Sequence, residues 1–220
     1  MGLLLSGSAF PDAQEALRGE VRVELEPVYA PFVDVPVPPD TPGLRRRALE
    51  EAAGYYSAMI YGWSFYYDIG EKARGIPEVF ELTPAGTVEF GDPGLYATDA
   101  GIRDGRLCLY TDYRLSGAQK RRMERWKSGT IQNAQATGYG PLGGPVEAAD
   151  WQTLKEAALK DAARAAVRAM LRGSERNRPK EAQGFISLSA FPVYRMDGGR
   201  WTASARFRVE ITEIVPFAAY

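Results

Sequence analysis

Carboxylates lead the few groups in this chain that do chemistry. Asp68 and Glu71 stand three apart, and Asp92, Asp99 and Asp104 gather in FGDPGLYATDAGIRDG. Two carboxyl groups at a suitable separation hydrolyse glycosidic bonds. Spacing along the chain does not bring any two of these to that separation. Asp-Pro-Gly and Asp-Gly are turn formers in their own right. The segment also lacks the Asp-x-Asp-x-Asp-Gly order of a calcium loop. Histidine is absent, and Cys108 is the only cysteine. Ser-His-Asp and Cys-His schemes, a cysteine zinc site and an intramolecular disulfide are therefore excluded within the chain. Cys108 falls in a strand-like segment and reads as a small buried hydrophobe. No catalytic residue is nominated, and neither a metal nor a cofactor is expected.

Two motifs suggest anion binding. GYGPLGGP, residues 138–145, contains Gly-x-Gly-x-x-Gly ahead of a helical stretch. A Walker loop needs Gly-Lys-Ser/Thr, which is missing. Pro141 removes an N–H from any phosphate cradle, and Glu147 and Asp150 would repel an anion. A strand-to-helix loop is the simpler reading. QKRRMERWK, residues 119–127, carries Lys120, Arg121, Arg122, Arg125 and Lys127 around Trp126. Such a segment suits an anionic membrane surface or a partner protein. Met123 and Trp126 are also i, i+3 neighbours that would dock a linking helix. Nucleic acid is the least favoured partner, because the net charge is −1.

The densest feature is YYSAMIYGWSFYYDIG, residues 55–70. Tyr55, Tyr56, Tyr61, Trp63, Phe65, Tyr66 and Tyr67 would line a pocket for a hydrophobic or aromatic ligand, or fill an interface within the protein. No stretch approaches the ~20 apolar residues of a membrane-spanning helix. The start, MGLLLSGSA, looks like the end of a secretory signal with a small-residue cleavage step, but lacks a basic leading region. With no cysteine there, lipidation of this form is excluded.

The elements that must position these groups emerge from internal similarity. LRRRALEEAAGYYSAMIYG, residues 44–62, matches LKEAALKDAARAAVRAMLRG, residues 154–173, with one insertion. EKARGI at 71–76 resembles KEAQGF at 180–185, and DGRLCLYTDYRL at 104–115 resembles GGRWTASARFRV at 198–209. Each half reads as strand, helix, strand, strand. Asp40 or Thr41 would cap the first helix, with Pro42 in its first turn, and Asp150 the second. The expected class is α+β: two tandem βαββ units, with long helices packed on one face of an antiparallel sheet. The boundaries are a signal remnant or flexible terminus at 1–19, a first unit at 20–116, a linker helix at 117–128 and a second unit at 129–220. In the second helix, Leu154, Ala158, Leu159, Ala162, Ala166 and Met170 form the apolar stripe, with Lys155 largely outside it.

Ala136, Gly138 and Gly140, followed by Ala157, Ala158, Asp161, Ala162 and Arg164, resemble the LPP20-like bacterial envelope lipoproteins, relatives of flagellar assembly proteins of the P and T type. The resemblance covers about a third of the chain. It implies a dodecin-like βαββ unit, export to the periplasm or outer membrane, and a non-catalytic envelope role. The expected function is a non-enzymatic bacterial cell-envelope protein, structural or binding. The alternatives are a carrier of a lipid or other hydrophobic ligand in the Tyr55–Tyr67 pocket, and a carboxylate-dependent hydrolase. The expected partners are an envelope protein or a hydrophobic small molecule, with peripheral membrane contact kept open. The oligomeric state is not read from the sequence.

Overall fold

The computed structural model describes residues 16–25, 41–71, 74–142, 148–174 and 179–216. The element order is β1 (Ala16–Glu24), α1 (Thr41–Ile60), β2 (Trp63–Asp68), β3 (Val79–Pro84), β4 (Leu95–Arg103), β5 (Arg106–Arg114), α2 (Gly117–Glu124), β6 (Gln132–Tyr139), α3 (Ala148–Ser174), β7 (Pro179–Leu188), β8 (Val193–Asp197) and β9 (Arg200–Pro216). The leader-like start, residues 26–40 with the Asp40 cap, and residues 143–147 lie outside the described residues.

The strands form two antiparallel sheets. One has three strands in the order β1-β5-β4. The other runs β3-β2-β7-β9-β6, with β8 pairing β9. Hairpin chemistry sets the registers. Asp104 and Gly105 have positive φ between β4 and β5, and Gly198 and Gly199 do so between β8 and β9. Two positive φ values in a two-residue loop match the right-handed twist of the paired strands. On β9, Trp201, Ala203, Ala205, Phe207 and Val209 all point into the core. Thr212 is an extra residue opposite the Gln183–Gly184 step, and there the alternation breaks.

The expected pair of tandem βαββ units is corrected. Strand outweighs helix, and the first half carries an additional hairpin, β2–β3. That hairpin leaves its own half and extends the second sheet through β2 and β7. Of the three matched blocks, helix meets helix in the first, and turn plus strand meets turn plus strand in the third. The second fails: Glu71 and Ile76 form an isolated bridge outside the named strands, whereas residues 180–185 lie in β7. Two further expectations shift. Residues 16–19 belong to β1 rather than to a flexible terminus, and α3 begins at Ala148, ahead of Asp150.

Each long helix lays a stripe on a sheet. On α1, Leu44, Ala48, Ala52, Tyr56 and Ile60 recur every fourth residue and are buried. They face β1 and β5, while the end of the helix meets β7. On α3, Ala158, Ala162 and Ala166 pack on β6 and β9. Small residues let this helix approach closely: a Cβ on Gly138 of β6 would collide with the backbone of Ala158 and Ala162. That contact is the structural role of the Ala-x-Gly pattern. The Tyr139 N–H donates to Asp161 at 2.9 Å and the Gly140 N–H to the Trp201 carbonyl at 2.8 Å, so neither is free for a phosphate.

Candidate functional site

The aromatic stretch divides among several surroundings. Helix α1 ends at Ile60, Gly62 turns at φ 68°, and the rest is β2. Tyr56 is fully buried against the three-stranded sheet, stacked on Tyr113, with its hydroxyl 2.8 Å from the Thr111 carbonyl. Burial pushes that phenol up to about 12. Phe65 and Tyr67 point into the core, where both pack on Phe80. The Tyr67 hydroxyl donates to Glu78, and burial raises its ionisation further. Tyr66 lies on the opposite face of the sheet, and Tyr61 packs against Gly86 and accepts from Gln119 at 3.2 Å. Tyr55 and Trp63 reach one cavity, while Phe65 and Tyr66 border a second, smaller and more polar one. A single seven-residue pocket is not what the fold builds. Helical geometry sends Tyr55 and Tyr56 to different faces, and strand alternation separates Tyr66 from its neighbours.

The cavity is a cleft of about 560 Å³ between α1, α3, the start of β2 and the segment after β3. Ala53 and Ala58 of α1, Leu159 of α3, Val88, Leu82 and Trp63 supply apolar walls. Ser57 holds the far wall. Its hydroxyl donates to the Ala53 carbonyl and accepts the Val88 N–H, both at 2.7 Å. Gly54 opens the mouth. It sits exposed inside a helix, and a Cβ there would meet nothing within 4 Å.

Polar groups close the inner end. Lys155 of α3 is only 3% exposed and contacts Glu51 of α1 at 3.3 Å. Its ammonium donates to the Arg22 carbonyl at 3.1 Å. It also lies 3.4 Å from Glu24 of β1, an ionic contact without hydrogen-bond alignment. The rings of Tyr194 and Trp201 flank it at 5.7 and 5.1 Å. The Tyr55 hydroxyl donates to Glu51 at 3.2 Å, and the Tyr55 ring stacks on Tyr194. Burial raises the Glu51 carboxyl above its ordinary value, with Lys155 opposing, and raises Tyr55 and Tyr194 strongly.

Lys155, expected outside the apolar stripe, lies on the buried face of α3. The signal was available, because Lys155 follows Trp151 by four and precedes Leu159 by four, and both are buried.

The basic segment is mostly a dock. Trp126 is 4% exposed, and its indole N–H donates to the Ile60 carbonyl at 3.1 Å. It is therefore removed from any membrane or partner surface. Arg125 pairs with Glu210 at 2.9 Å and lies over Phe185 at 4.1 Å. Lys127 pairs with Glu124. Lys120 and Arg122 are half-buried, and Arg121 is exposed.

The carboxylates weighed above are spread over separate local contacts: Asp68 and Asp92 hold turns, Asp99 lies within β4 at its register shift, and Glu71 makes an ion pair. Asp68 accepts the Gly70 N–H, Asp92 the Gly94 N–H and the Tyr113 hydroxyl, and Asp99 the Ala100 N–H. Glu71 pairs with Arg74. The acids that share a cleft are Glu50, Glu51, Glu89 and Glu156, none of them nominated from spacing. Among the described residues no group of three or more acids and cysteine gathers to hold a metal. No described helix is long and apolar enough to cross a membrane.

A protein-family model matches residues 6–217. The chain belongs to that family. An uncharacterized protein of Treponema pallidum (strain Nichols) is 26% identical over 171 residues, covering 78% of this chain and 69% of the relative. No solved structure matches. These likenesses name no ligand, so the chemistry of the cleft carries the functional reading.

Proposed function

We propose that this chain is a non-enzymatic binding protein that holds a small molecule with an apolar body in the α1–α3 cleft. The observation that carries the reading is Gly54. A glycine in an exposed helix interior costs about 0.5–1 kcal/mol relative to alanine. Here it lines the cleft, with open space where a Cβ would stand. A local choice that works against the helix marks a functional position. The volume of about 560 Å³ falls in the ordinary range of small-molecule sites, and apolar walls with a few polar groups are their usual make-up. Fluorescence of the neutral probe N-phenylnaphthylamine tests the reading. The native chain should bind it and brighten it, and Gly54→Leu should not, while keeping its circular dichroism. No binding by the native chain, or equal binding by the variant, overturns it.

The envelope location belongs to the same proposal and draws on the leader-like start and the LPP20-like resemblance. Cell fractionation tests it, and recovery with the cytoplasmic contents overturns it.

A further inference from the structure

We propose that the cleft selects an organic cation, an amine or quaternary ammonium group carried on an apolar body. The inference rests on the binding reading above and adds the sign of the ligand. Four glutamates line the cleft against two lysines, Lys155 and Lys160, a formal balance of −2 that Arg46, paired with Glu50, reduces to −1. Lys155 is already engaged by Glu51, Glu24 and the Arg22 carbonyl, which leaves the exposed Lys160 as the other lining cation against Glu89 and Glu156. At the mouth, Glu89 accepts the Thr87 hydroxyl and Glu156 accepts the Gln152 amide. Both are exposed, and neither has an ion pair among the described residues.

The protein also places its own cations here in one repeated arrangement. Arg46 lies over the Phe90 ring at 5.2 Å and pairs with Glu50 at 2.8 Å. Lys155 lies over Tyr194 and Trp201 while pairing with Glu51. In both, a cation sits between an aromatic face and a carboxylate. Trp63 lines the same cleft, with no cation over its ring among the described residues. Indole is the ring that holds a cation best. A ligand amine at Trp63, with Glu89 and Glu156 near the mouth, would make the same arrangement a third time. Low-dielectric walls strengthen a field of one sign in such a cleft.

Calorimetry with decylamine and decanoate below their micelle concentrations, and decanol below its solubility limit, tests the sign apart from the site. Decylamine should bind about tenfold more tightly than decanol, with decanoate the weakest. The paired change Glu89→Gln and Glu156→Gln should narrow the ratio of amine to alcohol affinity. Equal affinities, or tighter binding of decanoate, overturn the cation and leave the binding reading standing. Binding of none of the three removes both.

Discussion

Lys155 of α3 meets Glu51 of α1 at 3.3 Å, with 3% and 6% of the two side chains exposed. This pair ties the two long helices together at the inner end of the cleft, and its contact with Glu24 reaches the first strand. Two buried charges survive only when paired, because desolvation of each costs several kcal/mol.

Removing one partner should therefore be far more damaging than removing an exposed charge. Lys155→Ala should lower unfolding free energy in urea by about 3–5 kcal/mol, since Glu51 is left buried without its cation, although Glu24 keeps Arg106 at 3.4 Å. Arg168→Ala, which among the described residues loses an ion pair to Glu78 at 3.8 Å, should change it by about 0.5 kcal/mol or less. Similar losses from the two would refute the buried role.

Stability should fall in alkali because of Tyr56. Its folded-state value is raised to about 12, against 10.0 ordinarily. Between those values the unfolded chain has lost the proton and the folded chain keeps it. The contribution is thus complete below pH 10 and is lost as pH rises toward 12. A shift of that size corresponds to about 3 kcal/mol. Urea melts across this range should show the decline, and Tyr56→Phe should flatten part of it.

Gly54→Ala should stabilise the helix by about 0.5–1 kcal/mol, because open space receives the methyl group. A drop in melting temperature would mean that the position is constrained by packing, which the geometry excludes.

Gly138→Ala should do the opposite. The added methyl group runs into the α3 backbone at Ala158 and Ala162, which cannot yield as a flexible side chain would. Overpacking of this kind costs about 1–3 kcal/mol. Chemical denaturation compares the two glycine variants directly.

Trp126→Ala should cost about 3–5 kcal/mol through lost packing and a vacated carbonyl partner. Arg121→Ala should be nearly neutral in the same melts, because Arg121 is exposed. Equal effects would return Trp126 to the surface.

The helices, the glycine turns and the alternation of β9 were legible because each depends on residues near in sequence. Leu44, Ala48, Ala52 and Tyr56 share one face by helical geometry alone. Asp104-Gly105 and Gly198-Gly199 turn for reasons internal to four residues. The linking helix was legible too, down to the docking pair Met123 and Trp126. The same local rules misled for Lys155, since a charge at helical spacing is usually solvated, and no rule within α3 reveals that Glu51 and Glu24 wait opposite it.

The sequence by itself determined the two long helices and the β8–β9 hairpin, and within these residues it leaves no histidine and no cysteine pair. Only the tertiary structure decided that β2 and β3 join the sheet of the other half. Strand pairing is chosen by the competition of distant edges, and a sequence match such as that of residues 71–76 with 180–185 does not record it. The cleft depends on the same long-range choice. Its walls come from α1, α3 and the segment after β3, with Gly54 among the lining residues. Tyr55 and Trp63 were within sequence reach as candidates, whereas Glu51, Lys155 and Tyr194 became one site only when the chain folded.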